Sequence, residues 1–175
     1  MRSPFRLISM AAILSLFLTL LMGSTALSVG PPTNFMAPLA GDQEVPARDT
    51  LARGLAKFQL SADGTELSWI LIASNIDNVV ASHIHVGAAG VNGPVVLFLF
   101  GNAPPGGGRH DGVLAAGTAT AANLTGPLAG QPLSVLIDAM ESGGAYVNVH
   151  TNDGVGDVNT GPGDFPGGEI RGQIH

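Results

Sequence analysis

Three histidines carry most of the chemical information in this 175-residue chain. His83 and His85 lie in the apolar segment 82–86, and His150 ends the segment 146–150, which contains alternating valines. Side chains alternate across a β-strand, so His83 and His85 share one face. Imidazole is the commonest metal ligand in proteins and suits both Zn and Cu. The three residues are therefore candidate ligands of a Zn or Cu site built from neutral imidazoles on strands.

The same imidazoles have a structural alternative, in which they hydrogen-bond to neighbouring strands or loops and fix the packing. Glu169 has two interpretations as well, because it precedes Arg171 by two residues and shares its strand face. It can join an ion pair or hydrogen-bond network with Arg171 or across the ladder. It can instead supply a fourth metal ligand, or a carboxylate that orients an imidazole.

A second type of site is suggested by the polar segment 152–159 and by Asp164. Their side-chain oxygens are of the kind that calcium binds, although the spacing does not match the twelve-residue loop of helix-flanked calcium sites. The alternative is a polar loop without a ligand. The sequence contains neither a cysteine nor a Gly-x-Ser-x-Gly motif, so we assign no catalytic residue and expect a non-enzymatic role.

Short apolar runs between frequent turns predict the elements that position these residues. The chain has 25 glycines and 12 prolines spread along its length, and no long helical window interrupts the pattern. We expect an all-β fold, an antiparallel Greek-key-like β-sandwich of superoxide-dismutase-like or immunoglobulin-like type. The predicted strands are Phe35–Leu39, Gly54–Leu60, Glu66–Ala73, His83–Val86, Val95–Phe100, Val113–Ala119, Leu133–Met140, Ala145–His150 and Glu169–Ile174.

The N-terminus has the layout of a secretory signal. Arg2 and Arg6 precede an apolar run over residues 7–22, and small residues follow it. We assign residues 1–26 to a signal-peptide helix, with a retained membrane anchor as the alternative. The remaining 149 or so residues suit one domain without a membrane span. They carry five basic and thirteen acidic side chains, which argues against nucleic acid as a partner. Export predicts a secreted, periplasmic or cell-envelope protein.

Four motifs in order add a resemblance to this picture. They are residues 40–46, residues 83–96, residues 146–151 and residues 168–174. Together they resemble the chordin-type (CHRD) domain, which would span residues 34–175. The resemblance implies an extracellular all-β binding or structural module whose partner is a protein or a cell-surface ligand. The His-x-His strand is also similar to that of copper-zinc superoxide dismutases. The alternative function is therefore a Cu- or Zn-binding β-sandwich, for which this similarity implies redox chemistry of the superoxide-dismutase type.

Overall fold

The computed structural model describes residues 34–175, so the signal-peptide prediction for residues 1–26 lies outside the described part of the chain. Within residues 34–175 no helix is long and apolar enough to cross a membrane. Three 3-10 turns occur at Gly41–Gln43, Ala121–Asn123 and Gly126–Leu128. The strands and the helix are β1 (Asn34–Ala40), β2 (Arg53–Leu60), β3 (Leu67–Asp77), β4 (Val79–Val86), β5 (Val95–Phe100), β6 (Arg109–Ala119), α1 (Leu133–Glu141), β7 (Ala145–Thr151) and β8 (Ile170–Gln173).

All eight strands belong to one antiparallel sheet in the order β5-β4-β7-β8-β1-β2-β3-β6. The neighbours β3 and β6, and likewise β4 and β7, are not consecutive in sequence, so the chain crosses over between them. The edge strands β5 and β6 approach each other, which curls the sheet into a nearly closed barrel. The expected all-β antiparallel fold is confirmed.

Alternation along the strands explains the core. In β2, Ala56 and Phe58 are buried while Lys57 and Gln59 are exposed, as period-two alternation predicts. Across the ladder Phe58 pairs with Trp69 of β3. One apolar core fills the barrel, and apolar residues of nearly every strand contribute to it.

The segment 133–140 was predicted as a strand, and that prediction is wrong because the residues form helix α1. Its buried side chains are Leu133, Leu136, Ile137 and Met140. Their spacing of three, four and seven residues puts them on one face of a helix, whereas a strand would send them to both faces. Pro132 lies at the N-cap, where its missing N–H costs no hydrogen bond. The helix packs this apolar face against the core.

The outer face of β4, β7 and β8 is polar and is nevertheless buried. The ladder pairs His83 with Asn148 and Asn148 with Arg171, and Asn148 and Arg171 are only 3% and 1% exposed. Three segments cover this face, residues 41–50, residues 87–94 and residues 152–168. The fold thus has two cores, an apolar one inside the barrel and a polar one outside it.

We predict that the apolar face of α1 contributes to the stability of the barrel. Leu136 is fully buried, so Leu136→Ala should lower the free energy of unfolding by about 2–4 kcal/mol through lost burial and a cavity. Urea denaturation measures this change. The control is Ser134→Ala at an exposed position of the same helix, which should stay within about 0.5 kcal/mol of wild type. Equal stability of the two variants would contradict this packing.

Candidate metal centre

The pairing of β4 with β7 brings the three candidate histidines together. His83 lies opposite Asn148 and Ala81 lies opposite His150, so His150 is diagonal to His83 on the same face. Each histidine offers one ring nitrogen, and these three nitrogens lie within 4.8 Å of one another. The sequence alone could not establish this meeting, because the two segments are more than sixty residues apart.

Backbone carbonyls fix the tautomers of two of the imidazoles. Nδ1 of His85 lies 2.8 Å from the carbonyl oxygen of Gly93, and Nδ1 of His150 lies 2.8 Å from that of Pro166. A carbonyl oxygen can only accept, so each Nδ1 carries the hydrogen. When the rings are neutral, the lone pair of each is therefore on Nε2. A hydrogen bond from the other ring nitrogen to a carbonyl is the usual support of a metal-binding histidine.

The two Nε2 atoms differ in their partners. Nε2 of His150 lies 3.1 Å from Nδ1 of His83. Because the hydrogen of His150 is on Nδ1, its Nε2 accepts this hydrogen bond and His83 donates it. Nε2 of His85 is buried and makes no hydrogen bond of normal length, although the side chain of Asn148 lies close enough to oppose the lowering of this ring's pKa. Burying a nitrogen lone pair without a partner costs free energy, because the hydrogen bond that it would make to water in the unfolded chain is not replaced. An ion bound to this nitrogen would remove that cost.

The spacing of the three nitrogens is close to what one ion requires. At a metal–nitrogen distance of about 2.0–2.1 Å, tetrahedral or trigonal ligands lie about 3.3–3.6 Å apart. The contact between His83 and His150, at 3.1 Å, is a few tenths of an ångström shorter than this. The largest separation, up to 4.8 Å, would have to contract by about 1 Å for all three nitrogens to share one ion.

Burial keeps the cluster uncharged. Burial, together with the neighbouring His150 and His85, lowers the pKa of His83 to about 4. Burial also lowers the pKa of His85 and of His150, against the opposing effect of their carbonyl hydrogen bonds. The three rings are therefore neutral at pH 7, which is the state that binds a metal ion.

An aromatic ring and a guanidinium group are stacked on one face of the His85 ring. The ring of Tyr146 stacks on His85 with centroids 4.8 Å apart and an interplanar angle of 10°. The guanidinium of Arg171 lies 3.4 Å from the centre of the Tyr146 ring. The exposed edge of the cluster is formed by Phe98, whose ring meets His83 edge-on at 4.6 Å. His85 is thereby held on its ring face as well as by its hydrogen bond.

A buried carboxyl lies next to this group. Glu44 is 6% exposed, and its Oε1 has no hydrogen-bond partner. Burial raises the pKa of Glu44 to about 7, although the charge of Arg171 opposes the shift. Glu44 Oε1 and the side-chain nitrogen of Asn148 both approach Gly168 so closely that a Cβ there would lie 2.3 Å and 3.0 Å from them. Gly168 has a φ of +123°, so glycine is needed there for conformation and for space.

Glu169 lies apart from the three histidines. Its Oε1 accepts a hydrogen bond from Thr50 at 2.6 Å, and its Oε2 accepts bonds from Thr151 at 2.7 Å and from the backbone N–H of Gly163 at 2.8 Å. The carboxylate connects three segments, and the structure does not bring it into the histidine group. Arg171 is not its partner.

The residues considered for calcium are engaged within their own loop. Asp164 Oδ2 accepts hydrogen bonds from the backbone N–H and the hydroxyl of Thr160. Asn152 and Asp153 accept bonds from backbone N–H groups two residues ahead. Within residues 34–175 the acids of this loop do not form a second metal-binding group beside the histidines.

Several residues of the site were not identified from the sequence. Asn148 and Tyr146 share their strand face with His150, so parity alone could have pointed to both. Glu44 gave a weaker signal as an acid beside apolar residues. The carbonyl groups of Gly93 and Pro166 gave none, because every residue has a carbonyl and only the tertiary structure decides which one faces an imidazole.

The four sequence motifs converge on this polar core, and together they extend over most of the described chain. The model of the CHRD domain matches residues 35–174. The chain belongs to the CHRD domain family. No curated protein and no solved structure shows a significant match to this CHRD domain, so the site is interpreted from its own geometry.

We predict the protonation states of this CHRD domain's histidines. Long-range ¹H–¹⁵N NMR should show His85 and His150 as Nδ1–H tautomers, because each Nδ1 donates to a carbonyl. The ring signals of His83 should not titrate between pH 6 and pH 8, because its pKa is lowered to about 4. Titration of His83 near pH 6.5 would contradict the buried cluster.

We also predict that Glu44 makes stability depend on pH. The pKa of Glu44 is raised from 4.5 to about 7, so the folded state favours the protonated carboxyl. This stabilisation is complete below pH 4.5 and is lost as pH rises through 7. Glu44→Gln stays neutral, so its stability relative to wild type should increase by about 2 kcal/mol between pH 5 and pH 8.

Urea denaturation at the two pH values measures this difference. The matched control is Asp42→Asn, which removes an exposed acid from the same segment and should show no such increase. A Glu44→Gln variant whose relative stability is the same at pH 5 and pH 8 would show that the carboxyl is already ionised in the folded protein.

Proposed function

We propose that this protein is an exported CHRD-domain binding module whose ligand is a single Cu or Zn ion held by His83, His85 and His150. The observation that carries the proposal is the convergence of three ring nitrogens within 4.8 Å. Two of the rings have their other nitrogen committed to a backbone carbonyl. This combination is typical of preorganised metal sites.

The type of ligand favours these metals. Neutral imidazole suits Zn and Cu, whereas calcium and magnesium prefer oxygen ligands. Three ligands from the protein leave a coordination position for water or another small molecule, as in catalytic zinc sites. Such an exchangeable position is also what redox chemistry of superoxide-dismutase type at a copper ion would need.

The alternative is that the histidines only hold the polar core together. The hydrogen bond between His83 and His150, at 3.1 Å, is compatible with this role. The buried Nε2 of His85 favours the metal, because the nearby Asn148 side chain does not reach it at normal hydrogen-bond length and a purely structural imidazole would be expected to have a partner there. The two roles differ in a measurable way.

Metal binding is tested on purified protein by elemental analysis and by titration with Cu and Zn. We expect one ion per chain and a melting temperature that rises with added ion, by an amount equivalent to about 2.7 kcal/mol at a hundredfold excess over Kd. His85→Ala should weaken binding at least a hundredfold, because one of three ligands is lost.

The control variant is His110→Ala, which removes a histidine that is not part of the group and should leave affinity unchanged. If the wild-type protein binds no ion and its melting temperature does not change when Cu or Zn is added, the histidines are structural and the proposal is wrong. Equal affinity of the His85→Ala and His110→Ala variants would place the ion elsewhere.

A further inference from the structure

Arg171 introduces a buried positive charge close to the three histidines. The residue is 1% exposed. Its guanidinium lies 3.4 Å from the centre of the Tyr146 ring, and that ring stacks on His85 at 4.8 Å. Tyr146 thus contacts both the cation and a candidate metal ligand. A single aromatic side chain connects Arg171 to the site.

The hydrogen bonds of Arg171 hold this charge in place without neutralising it. Its Nη2 donates to the carbonyl oxygens of Ala88 and Val91, each at 3.0 Å, and its Nη1 donates to the side-chain oxygen of Asn92 at 3.2 Å. All three acceptors are uncharged. The ion pair found within residues 34–175 joins Arg109 to Asp111 and does not involve Arg171.

One nearby carboxyl could offset the charge. Glu44 feels the positive field of Arg171, yet it makes no hydrogen bond to the guanidinium. Glu169, the other buried acid of this face, is bound by two threonine hydroxyls and a backbone N–H. The positive potential of Arg171 is therefore only partly compensated.

The charge is close enough to act on an ion at the histidines. Only the Tyr146 ring separates the guanidinium of Arg171 from His85, with 3.4 Å on one side of that ring and 4.8 Å on the other, and no water lies between them in such a stack. A metal ion is an added positive charge, and Coulomb energy scales with its valence. The three ligands are neutral, so none of them offsets the second charge of a divalent ion.

We propose that Arg171, held against Tyr146, makes the three-histidine site prefer the monovalent ion Cu(I) over the divalent ion Zn(II). This inference rests on the proposed function, because it requires an ion at the histidines. Coordination number does not separate the two ions, because a water molecule can complete a tetrahedral Zn(II) site on three histidines, so the preference rests on charge.

The test compares Cu(I) and Zn(II) affinities by competition with chromophoric chelators, under anaerobic conditions for copper. In Arg171→Gln the affinity for Zn(II) relative to Cu(I) should rise on the order of thirtyfold, the effect of one unit charge at about 8 Å in a medium of effective dielectric constant about 20. Arg171→Lys keeps the charge, so its affinity ratio should stay near that of wild type.

A second variant covers the case in which Arg171→Gln does not fold. Glu44→Gln removes the opposing charge without removing a hydrogen bond of Arg171, so at pH 8 its affinity for Zn(II) relative to Cu(I) should fall several-fold. Circular dichroism confirms the fold of each variant. The control is Asp42→Asn, which changes net charge at an exposed neighbour.

The outcomes separate this inference from the proposed function. If wild type binds neither ion, the metal-site proposal fails and the inference falls with it. If wild type binds ions but the affinity ratio is unchanged in folded Arg171→Gln, Arg171 does not select the ion. When only Glu44→Gln folds, an unchanged ratio in that variant overturns the inference equally. A loss of affinity for both ions to the same extent would show a purely structural role.

Discussion

The register between β4 and β7 is the constraint on which the rest of the structure depends. From Ala81 to Val86 the two strands pair without a bulge, with His83 opposite Asn148 and Ile84 opposite Val147. A shift by one residue would turn every side chain to the other face. The same pairing therefore packs the valines and isoleucines inside the barrel and gathers the imidazoles outside it.

A polar core outside the barrel carries electrostatic costs that the apolar core does not. Burial disfavours the charged forms of His83 and Glu44. Protonation of His83 at low pH and ionisation of Glu44 at high pH therefore both destabilise the folded state. For the histidine, stability is present above its unfolded pKa of about 6.5 and is lost as pH falls towards 4. For the carboxyl of Glu44, stability is present below its unfolded pKa of 4.5 and is lost as pH rises through about 7. The polar core therefore stabilises the fold best between about pH 4 and pH 7.

The covering loops do more than shield this core. The loop 87–94 is held by Arg171 and presents the carbonyl of Gly93 to His85. The loop 152–168 is tied down by Glu169 and presents the carbonyl of Pro166 to His150. Buried charged side chains thus hold the two loops that orient the imidazoles. The family motifs contain both of these charged residues, which gives a physical reason why they occur together.

The sequence by itself determined the strands and the faces of their side chains, because period-two alternation is a local property. It placed His83 and His85 on one face, and it identified the CHRD domain from its motifs. It did not reveal helix α1, because nearly every residue of the segment 133–140 is apolar and only the packing shows that Leu133, Leu136, Ile137 and Met140 form the buried face. Only the tertiary structure decided that His150 meets the other two and that the carbonyls of Gly93 and Pro166 face the rings. Those contacts join segments far apart in the chain, and such pairing depends on strand order and loop closure rather than on local preference.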